Sequence, residues 1–298
     1  MGVRQIVWKA VKKTMQSCVF PGIYVTLHIH YIYTKKLMMQ AMIFAAGLGT
    51  RLKPLTDTMP KALVRVGGEP LIKRVIENLI NAGVDRIVVN VHHFAQQIID
   101  YLNANNNFGI DIRISDETDG LLETGGGIKK AAPLFAPEAP ILIHNVDILS
   151  NVDLSKFYQM ATIREKSKGE TGDHLSDNTV DAVLLVSWRK TKRYLLFDDN
   201  MRLVGWTNIE TGEVKSPYPN IDPKKCRMYA FAGIHAISPR LIKTMDSLPD
   251  RFGIIDFYLN ACATHNIIGY AKDDLKLMDI GKLDTLAQAE EFLATMEK

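Results

Sequence analysis

Residues 41–61 read AMIFAAGLGTRLKPLTDTMPK, and this stretch decides the fold class. Its first five residues are apolar, which is typical of a short buried strand. The strand leads directly into a loop in which Gly47 and Gly49 permit positive φ angles and let successive backbone N–H groups point at phosphate oxygens. Arg51 offers a forked set of donors and Lys61 offers a compact charge, so the stretch is typical of a polyphosphate-binding loop.

The spacing of this loop excludes two common nucleotide-binding motifs. The dinucleotide-binding fingerprint requires a third glycine where Leu52 stands, and the Walker A loop requires a Gly-Lys-Ser or Gly-Lys-Thr sequence that this stretch lacks. Neither a nicotinamide-dependent dehydrogenase nor a P-loop ATPase is therefore indicated.

Downstream of the loop, the hydrophobic pattern alternates between strands and helices. In the first half we predict strands at 41–45, 86–91, 111–115 and 141–144, a hairpin-like turn after 63–66, and helices at 70–82, 95–103 and 127–134. In the second half we predict a polar loop at 165–179, strands at 183–188, 194–197, 203–207 and 227–237, and a closing helix at 282–298. This order predicts an α/β fold with a Rossmann-like, mostly parallel sheet and helices on both faces. Ligands of such folds bind at the carboxyl ends of the strands.

The composition and charge indicate an ordinary globular protein. Apolar residues make up 47% of the 298 residues and charged residues 23%, which argues against a disordered or repetitive chain. The net charge is +3, but residues 1–39 carry six basic residues and no acid, so the remainder carries 30 basic and 33 acidic residues. Without a general basic surface, nucleic acid is not expected as a partner.

The first 38 residues do not continue the strand–helix pattern. Their longest apolar run is far shorter than the roughly 20 residues that cross a bilayer, and they lack a signal-peptide cleavage pattern. We predict that residues 1–38 are an extension outside the fold and that a single domain spans 39–298. Docking of the extension on anionic lipid is a weaker alternative, because its apolar residues form no sustained helical stripe.

The cysteines give no sign of a disulfide framework or a zinc site. They are odd in number, widely spaced, and contain no Cys-x-x-Cys pair: Cys18, Cys226 and Cys262. Cysteines without a pairing pattern are typical of a reducing compartment, so a cytoplasmic location is expected. Contact with a membrane is not expected.

Two further segments carry residues that suit phosphate chemistry. Leu122-Glu123-Thr124-Gly125-Gly126-Gly127 precedes a predicted helix, where consecutive glycines let a flat ligand approach the backbone and the helix start offers free N–H groups. Asp147 follows a buried strand, and a carboxylate at that place can hold Mg²⁺, which prefers oxygen ligands. Asp279 precedes the closing helix, where on its own it is more simply a helix cap.

The loop motif resembles the signature of the sugar-nucleotide pyrophosphorylases, or nucleotidyltransferases. That signature reads Gly-x-Gly-Thr-Arg-x-x-Pro-x-Thr-x-x-x-Pro-Lys, and all eight specified positions match, from Gly47 to Lys61. The segments around Gly126 and Asp147 also resemble the family, although Val146 stands where the family has a glycine, which puts close approach of that backbone to a ligand in doubt. The resemblance covers roughly residue 40 to the C-terminus.

The resemblance implies a nucleotide-diphospho-sugar transferase fold with a smaller sugar-binding lid region. It divides the domain into a nucleotide-binding half (39–150) and a sugar-binding half (151–298), and it assigns roles to individual residues. Arg51 and Lys61 would be catalytic, and Asp147 with Asp279 would bind Mg²⁺, in place of the capping role for Asp279. The nucleotide would be bound by Ala46, Gly47, Gly49, Thr50, Gln96, Gly125 and Gly126. The sugar would be bound by Glu123, Asn145, Gly233 and Asp256, although Gly233 could equally be a packing glycine and Asp256 a helix cap.

The implied reaction joins an NTP to a sugar 1-phosphate, giving an NDP-sugar and pyrophosphate. UTP with N-acetylmuramate 1-phosphate is the preferred pair, and GTP with mannose 1-phosphate is the alternative, in a monomer or a homodimer. A non-catalytic nucleotide-sugar sensor on the same fold is a less favoured reading, because the basic pair and both carboxylates are present.

Overall fold

The apolar strand in front of the phosphate loop is strand β1 (Gln40–Phe44) of a computed structural model that describes residues 38–162 and 179–296. It pairs in parallel with β4 (Arg86–Val91) and β6 (Ile141–Asn145), and β4 pairs in parallel with β5 (Asp111–Asp116). Because the four strands run in the same direction, their carboxyl ends meet at one edge of the sheet. That edge is where the predicted site residues of the first half lie.

The second half of the chain extends this sheet with mostly antiparallel strands. These are β8 (Ala182–Ser187), β9 (Arg193–Phe197), β10 (Leu203–Asn208), β11 (Val214–Lys215), β12 (Arg227–Ile237) and β13 (Ile267–Ala271). Strand β12 joins the halves, since it pairs antiparallel with β6, β8 and β9, whereas β13 runs parallel to β8. Across the described residues the main path of the sheet is β11-β10-β9-β12-β6-β1-β4-β5.

Two short strand pairs stand apart from the main sheet. Strands β2 (Arg65–Val66) and β3 (Glu69–Pro70) form the predicted hairpin-like turn at Gly67 and Gly68. Strands β7 (Ile148–Ser150) and β14 (Leu277–Asp279) pair antiparallel, with Asp279 opposite Ile148. This second pair brings residues close to the end of the chain beside Asp147, which directly precedes β7.

Helices cover both faces of the sheet, as the sequence predicts. They are α1 (Leu71–Asn81), α2 (Ala95–Ala104), α3 (Glu123–Ala131), α4 (Leu154–Met160), α5 (Pro239–Lys243), α6 (Ile254–Ala261) and α7 (Leu283–Met296). Side chains of α1, α2, α4 and α7 pack with Ala41 and Ile43 in one core, and those of α3, α5 and α6 pack with Met42 in the other. The alternation along β1 thus divides the apolar residues between two cores. The predicted α/β fold with a mostly parallel central sheet is confirmed, with an antiparallel extension in the second half.

The predicted start of α3 is wrong. The prediction begins the helix at Gly127, but it begins at Glu123 and includes all three glycines. Glycine is a poor helix former, so the sequence pattern favours a later start, whereas packing against residues 250–252 stabilises the helical turn. The strands β7, β11, β13 and β14 and the helices α4 and α5 are short and are absent from the predicted elements, and α6 is anticipated only as a helix that Asp256 could cap.

Some predictions fall on residues that the structure does not describe. The extension at 1–38, apart from Met38, and the polar loop at 165–179, apart from Thr179, lie outside the described residues. Within the described ranges, none of the helices has both the length and the apolar character that spanning a membrane requires.

Candidate active site

The loop after β1 is shaped by a contact across its own turn. Gly49 has φ +64°, and a Cβ there would lie 2.9 Å from Cγ2 of Thr56. The hydroxyl of Thr56 donates to the carbonyl oxygen of Gly49 at 2.8 Å, which closes the turn. In the described part of the chain, the N–H groups of Gly47 and Leu48 donate to no protein acceptor. They are therefore available to an anion, as the sequence predicts for a phosphate loop.

Lys61 and Asp147 form an ion pair at the end of this loop. Nζ of Lys61 contacts Oδ2 of Asp147, and their side chains are only 11% and 17% exposed. Lys61 is placed by a short 3-10 turn over residues 61–63, and Asp147 lies between β6 and β7. The pair joins the phosphate loop to the carboxyl end of the adjacent parallel strand.

Asp279 and Arg51 complete a cluster of four charged side chains. The N–H of Ile280 donates to the backbone oxygen of Asp147 at 2.8 Å, which holds Asp279 next to that residue. Gly281 packs against the side chains of both Asp279 and Arg51. A Cβ on Gly281 would be 2.7 Å from Oδ1 of Asp279 and 2.9 Å from Nη2 of Arg51. The structure thus brings together side chains that are far apart in the sequence.

The carboxyl of Asp279 is in an unusual electrostatic environment. Burial raises the pKa of Asp279, and the nearby charge of Asp147 raises it further, while Lys61, Arg51 and Arg189 act in the opposite direction. Oδ1 of Asp279 is buried and has no hydrogen-bond partner among the described residues. A buried carboxylate oxygen without a donor is costly, so this atom is suited to a cation that reaches it from outside the chain.

The two carboxylates fit a hard divalent cation. No group of three or more His, Cys, Asp or Glu side chains that could hold a metal occurs in the described ranges. A metal bound here would therefore take two protein carboxylates and complete its shell with phosphate and water oxygens, which is the usual pattern for Mg²⁺. Oxygen ligands alone favour Mg²⁺ over softer metals such as zinc.

A cleft of about 250 Å³ opens at the same edge of the sheet. Its walls come from the loops that follow β1, β5 and β6 and from the start of α3, and its lining residues are Phe44, Ala45, Ala46, Gly47, Lys61, Asn90, Glu117, Leu121, Glu123, Thr124, Asn145, Val146 and Asp147. The charged cluster thus lies at a cleft bordered by the phosphate loop.

A buried polar network that the sequence analysis missed supports the cleft. Oδ1 of Asn90 accepts hydrogen bonds from the N–H groups of Ala45 at 2.7 Å and Ala46 at 3.3 Å. Nδ2 of Asn90 donates to Oε1 of Glu117 at 2.8 Å, and Oε2 of Glu117 accepts from the N–H of Leu122 at 3.3 Å. Asn90 and Glu117 are both almost fully buried. The network therefore links the loop after β1 to the loop before α3.

The first two glycines of α3 have a packing role. The N–H groups of Gly125 and Gly126 donate to the carbonyl oxygen of Phe252 at 2.9 and 3.2 Å. A Cβ on Gly126 would lie 2.0 Å from the carbonyl oxygen of Asp250, and one on Gly125 would lie 2.3 Å from the Phe252 ring. The expectation that these N–H groups are free for a ligand is wrong, because the segment 250–252 occupies them.

The amino-acid sequence of the chain matches a family of known proteins. Residues 40–188, half of the chain, match the family model described as nucleotidyl transferase. This chain belongs to the nucleotidyl transferase family. The N-acetylmuramate alpha-1-phosphate uridylyltransferase of Caulobacter vibrioides is 49% identical over 109 residues, which are 36% of this chain and 45% of that protein. A mannose-1-phosphate guanyltransferase of Yarrowia lipolytica is 34% identical over 134 residues, which are 44% of this chain and 36% of that protein.

The chain therefore spans about half the length of the curated relatives it matches, or less. A solved structure extends the likeness of fold further. The crystal structure of HddC from Yersinia pseudotuberculosis complexed with GMP-PN covers 86% of this chain and 100% of its own chain, with a TM-score of 0.62 and 22% identity. The nucleotidyl transferase fold thus continues well beyond residue 188.

Not every residue predicted from the nucleotidyl transferase resemblance lies at the cleft. Asn145 and Glu123 line it, and Gly233 touches its wall, because a Cβ on that residue would be 2.8 Å from Nδ2 of Asn145. The exposed side chain of Gln96 instead bonds to Asp100 on α2 at 2.8 Å. Asp256 lies in the first turn of α6, which Gly253 caps, and pairs with Lys215 at 3.2 Å.

Val146 and His144 lie at the end of β6, just before Asp147. Val146, which replaces the glycine of the nucleotidyl transferase pattern, is almost fully buried and still forms part of the cleft wall. His144 is buried, which lowers its pKa to about 4, and its Nδ1 donates to the backbone oxygen of Asn145 at 2.8 Å. A neutral, buried imidazole of this kind is a structural group.

Proposed function

We propose that this chain transfers a nucleotidyl group from an NTP to a sugar 1-phosphate, yielding an NDP-sugar and pyrophosphate. The observation that carries the proposal is the convergence of Arg51, Lys61, Asp147 and Asp279 beside a cleft that begins at a phosphate loop. The family membership and the activities named for the relatives support it.

The reaction needs charge neutralisation and positioning more than a covalent intermediate. A phosphate oxygen of the sugar 1-phosphate forms a bond to the α-phosphorus, the bond from that phosphorus to the bridging oxygen breaks, and its electron pair leaves with pyrophosphate. Arg51 would stabilise the charge on the departing pyrophosphate. Lys61 would lie between the α-phosphate and the incoming phosphate, which requires its ammonium group to divide its contacts between Asp147 and the ligands.

Asp147 and Asp279 are the residues that would hold a divalent cation. Members of the family generally use a divalent metal ion, and Mg²⁺ is the one that this pair of carboxylates fits best. When bound, the ion would supply electrostatic stabilisation of phosphate charge. Its charge would also remove the cost of keeping the unpartnered Oδ1 of Asp279 ionised.

The loop at 46–50 and the start of α3 would surround the nucleotide, and residues of both halves would bind the sugar. Gly47 and Leu48 have free N–H groups for the phosphates, next to Ala46, Gly49 and Thr50. For the sugar, Glu123 and Asn145 lie at the cleft. Gln96 and Asp256 would need to reach the ligand from outside the cleft walls.

We propose UTP and N-acetylmuramate 1-phosphate as the substrates, with GTP and mannose 1-phosphate as the second candidate pair. The first pair is favoured because the uridylyltransferase relative is 49% identical over 109 residues and the guanyltransferase relative is 34% identical over 134 residues. Both substrate pairs involve the same bond rearrangement, so the charged cluster does not distinguish them.

A product screen tests this proposal. The full chain is incubated with Mg²⁺, one of five NTPs and one of a panel of sugar 1-phosphates, and pyrophosphate release and the NDP-sugar are measured. We expect the highest rate with UTP and N-acetylmuramate 1-phosphate. Binding of nucleotide sugar without turnover of any pair would instead indicate a non-catalytic sensor.

A further inference from the structure

Arg189 is a further cation to consider beside Arg51 and Lys61, and it comes from the second half of the chain. It follows strand β8, and its exposed guanidinium has no carboxylate partner within 4 Å in the part of the chain that the structure describes. Nη2 of Arg189 donates to the backbone oxygen of Phe231 at 3.1 Å. The remaining N–H groups of the fork have no protein acceptor among the described residues.

Two side-chain contacts hold Trp188 and Arg189 against strand β12. The ring of Trp188, which is 67% exposed, lies 4.3 Å from the ring of Tyr229, and the guanidinium of Arg189 is bound two residues further along the same strand. An exposed arginine held in this way loses little further conformational entropy when it binds an anion.

Phe231, which binds Arg189, lies two residues before Gly233, and Gly233 packs against a residue of the cleft wall. The pairing of β12 with β8 shifts register between Phe231 and His235, where Gly233 has φ +76°. A Cβ on Gly233 would lie 2.8 Å from Nδ2 of Asn145, which lines the cleft two residues before Asp147.

The proposed reaction brings two negatively charged substrates together, and a cation from the second half of the chain would reduce the repulsion between them. The acceptor is itself a phosphate, so it must approach a triphosphate of the same sign. Arg51 and Lys61 both come from the loop after β1, and Lys61 already neutralises Asp147. Like charges at close range are strongly unfavourable unless a cation compensates them. A planar guanidinium with free donors suits a phosphate better than an ammonium does.

We propose that Arg189 binds the phosphate group of the sugar 1-phosphate. The inference rests on the proposed function and names the residue that would hold the acceptor before attack. In this division Arg51 serves the NTP, Lys61 is shared between the α-phosphate and the acceptor, and Arg189 serves the acceptor alone.

Steady-state kinetics of Arg189→Gln test the inference. We expect the KM for the sugar 1-phosphate to rise about 10- to 100-fold, the scale of a lost hydrogen bond to a charged group, while the KM for the NTP changes less than about threefold. Arg189→Lys keeps the charge without the fork and should fall between wild type and Arg189→Gln. Lys190→Gln is the matched control, since it removes the adjacent exposed cation, which forms no ion pair in the described residues.

Calorimetric titration of a UTP analogue that cannot be cleaved, in the absence of sugar phosphate, provides a second measurement. Its affinity should be the same in wild type and Arg189→Gln. Equal rises in both KM values, a weaker analogue affinity, or an Arg189→Gln enzyme like wild type would each overturn the role of Arg189. A wild-type protein that turns over none of the substrate pairs would instead refute the proposed function.

Discussion

Replacing Gly126 with alanine separates two explanations of the glycine run at the start of α3. The added Cβ would lie 2.0 Å from the carbonyl oxygen of Asp250, whereas ordinary contact begins at 3.4 Å, so one backbone must retreat by about 1.4 Å. That retreat stretches the hydrogen bonds from Gly125 and Gly126 to Phe252, which are 2.9 and 3.2 Å long.

The expected change in the free energy of unfolding combines two destabilising effects and one stabilising effect. Overpacking of a close contact costs roughly 1–3 kcal/mol, and two weakened hydrogen bonds cost about 0.5–1.5 kcal/mol each. The better helix propensity of alanine returns about 1 kcal/mol. We therefore expect Gly126→Ala to lower the free energy of unfolding by about 3 kcal/mol.

Urea denaturation followed by tryptophan fluorescence measures this change. Gly120→Ala is the matched control, because Gly120 lies in the loop just before α3, has no positive φ, and a Cβ there would meet no atom within 4 Å. Its stability should stay within about 0.5 kcal/mol of wild type. A Gly126→Ala protein that is as stable as wild type and has lost only nucleotide affinity would refute the packing explanation and restore the ligand explanation.

Three further predictions concern the charged cluster, the buried network and a buried histidine. Lys61→Ala should lower kcat by roughly 10² or more in a pyrophosphate-release assay, since it removes a preorganised cation, whereas Lys53→Ala on the same loop, whose ion pair is on the surface, should not. Asn90→Leu leaves two buried amides and the Glu117 carboxylate without their partner, so the free energy of unfolding should fall by about 2–5 kcal/mol in urea; an unchanged midpoint would contradict the network. Burial lowers the pKa of His235 to about 3, so its neutral form stabilises the fold above about pH 6.5 and stability is lost as the pH falls toward 3. Between pH 6.5 and 5, His235→Gln should lose about 2 kcal/mol less than wild type does, and equal losses would argue against this titration.

The sequence predicts the central strands and the charged loop well because their signals are local. Apolar runs bounded by Gly and Pro locate β1, β4 and β6 within one or two residues, and the spacing from Gly47 to Lys61 indicates a phosphate loop. The same-edge argument for parallel strands also anticipates that Asp147 lies near that loop.

The features that the sequence did not predict depend on contacts between distant residues. Without the resemblance, Asp279 would have been assigned a capping role, and its pairing next to Asp147 depends on the three-residue strands β7 and β14. Asn90 is a polar residue inside an apolar strand, and such a residue signals a buried hydrogen-bond network, but its partner Glu117 lies after the next strand. The start of α3 depends on residues 250–252, which local propensity does not register.

Asp279 reaches the charged cluster through the short pairing between β7 and β14, so it is expected to join the cluster late in folding. Ribosomal synthesis produces Arg51, Lys61 and Asp147 well before it reaches Asp279, and the closing of such a long loop is entropically slow. Three-residue ladders are also weak, so this corner is expected to open before the large sheet does. We therefore expect warmed samples to lose the second carboxylate, and with it turnover, at temperatures where circular dichroism still reports a folded chain.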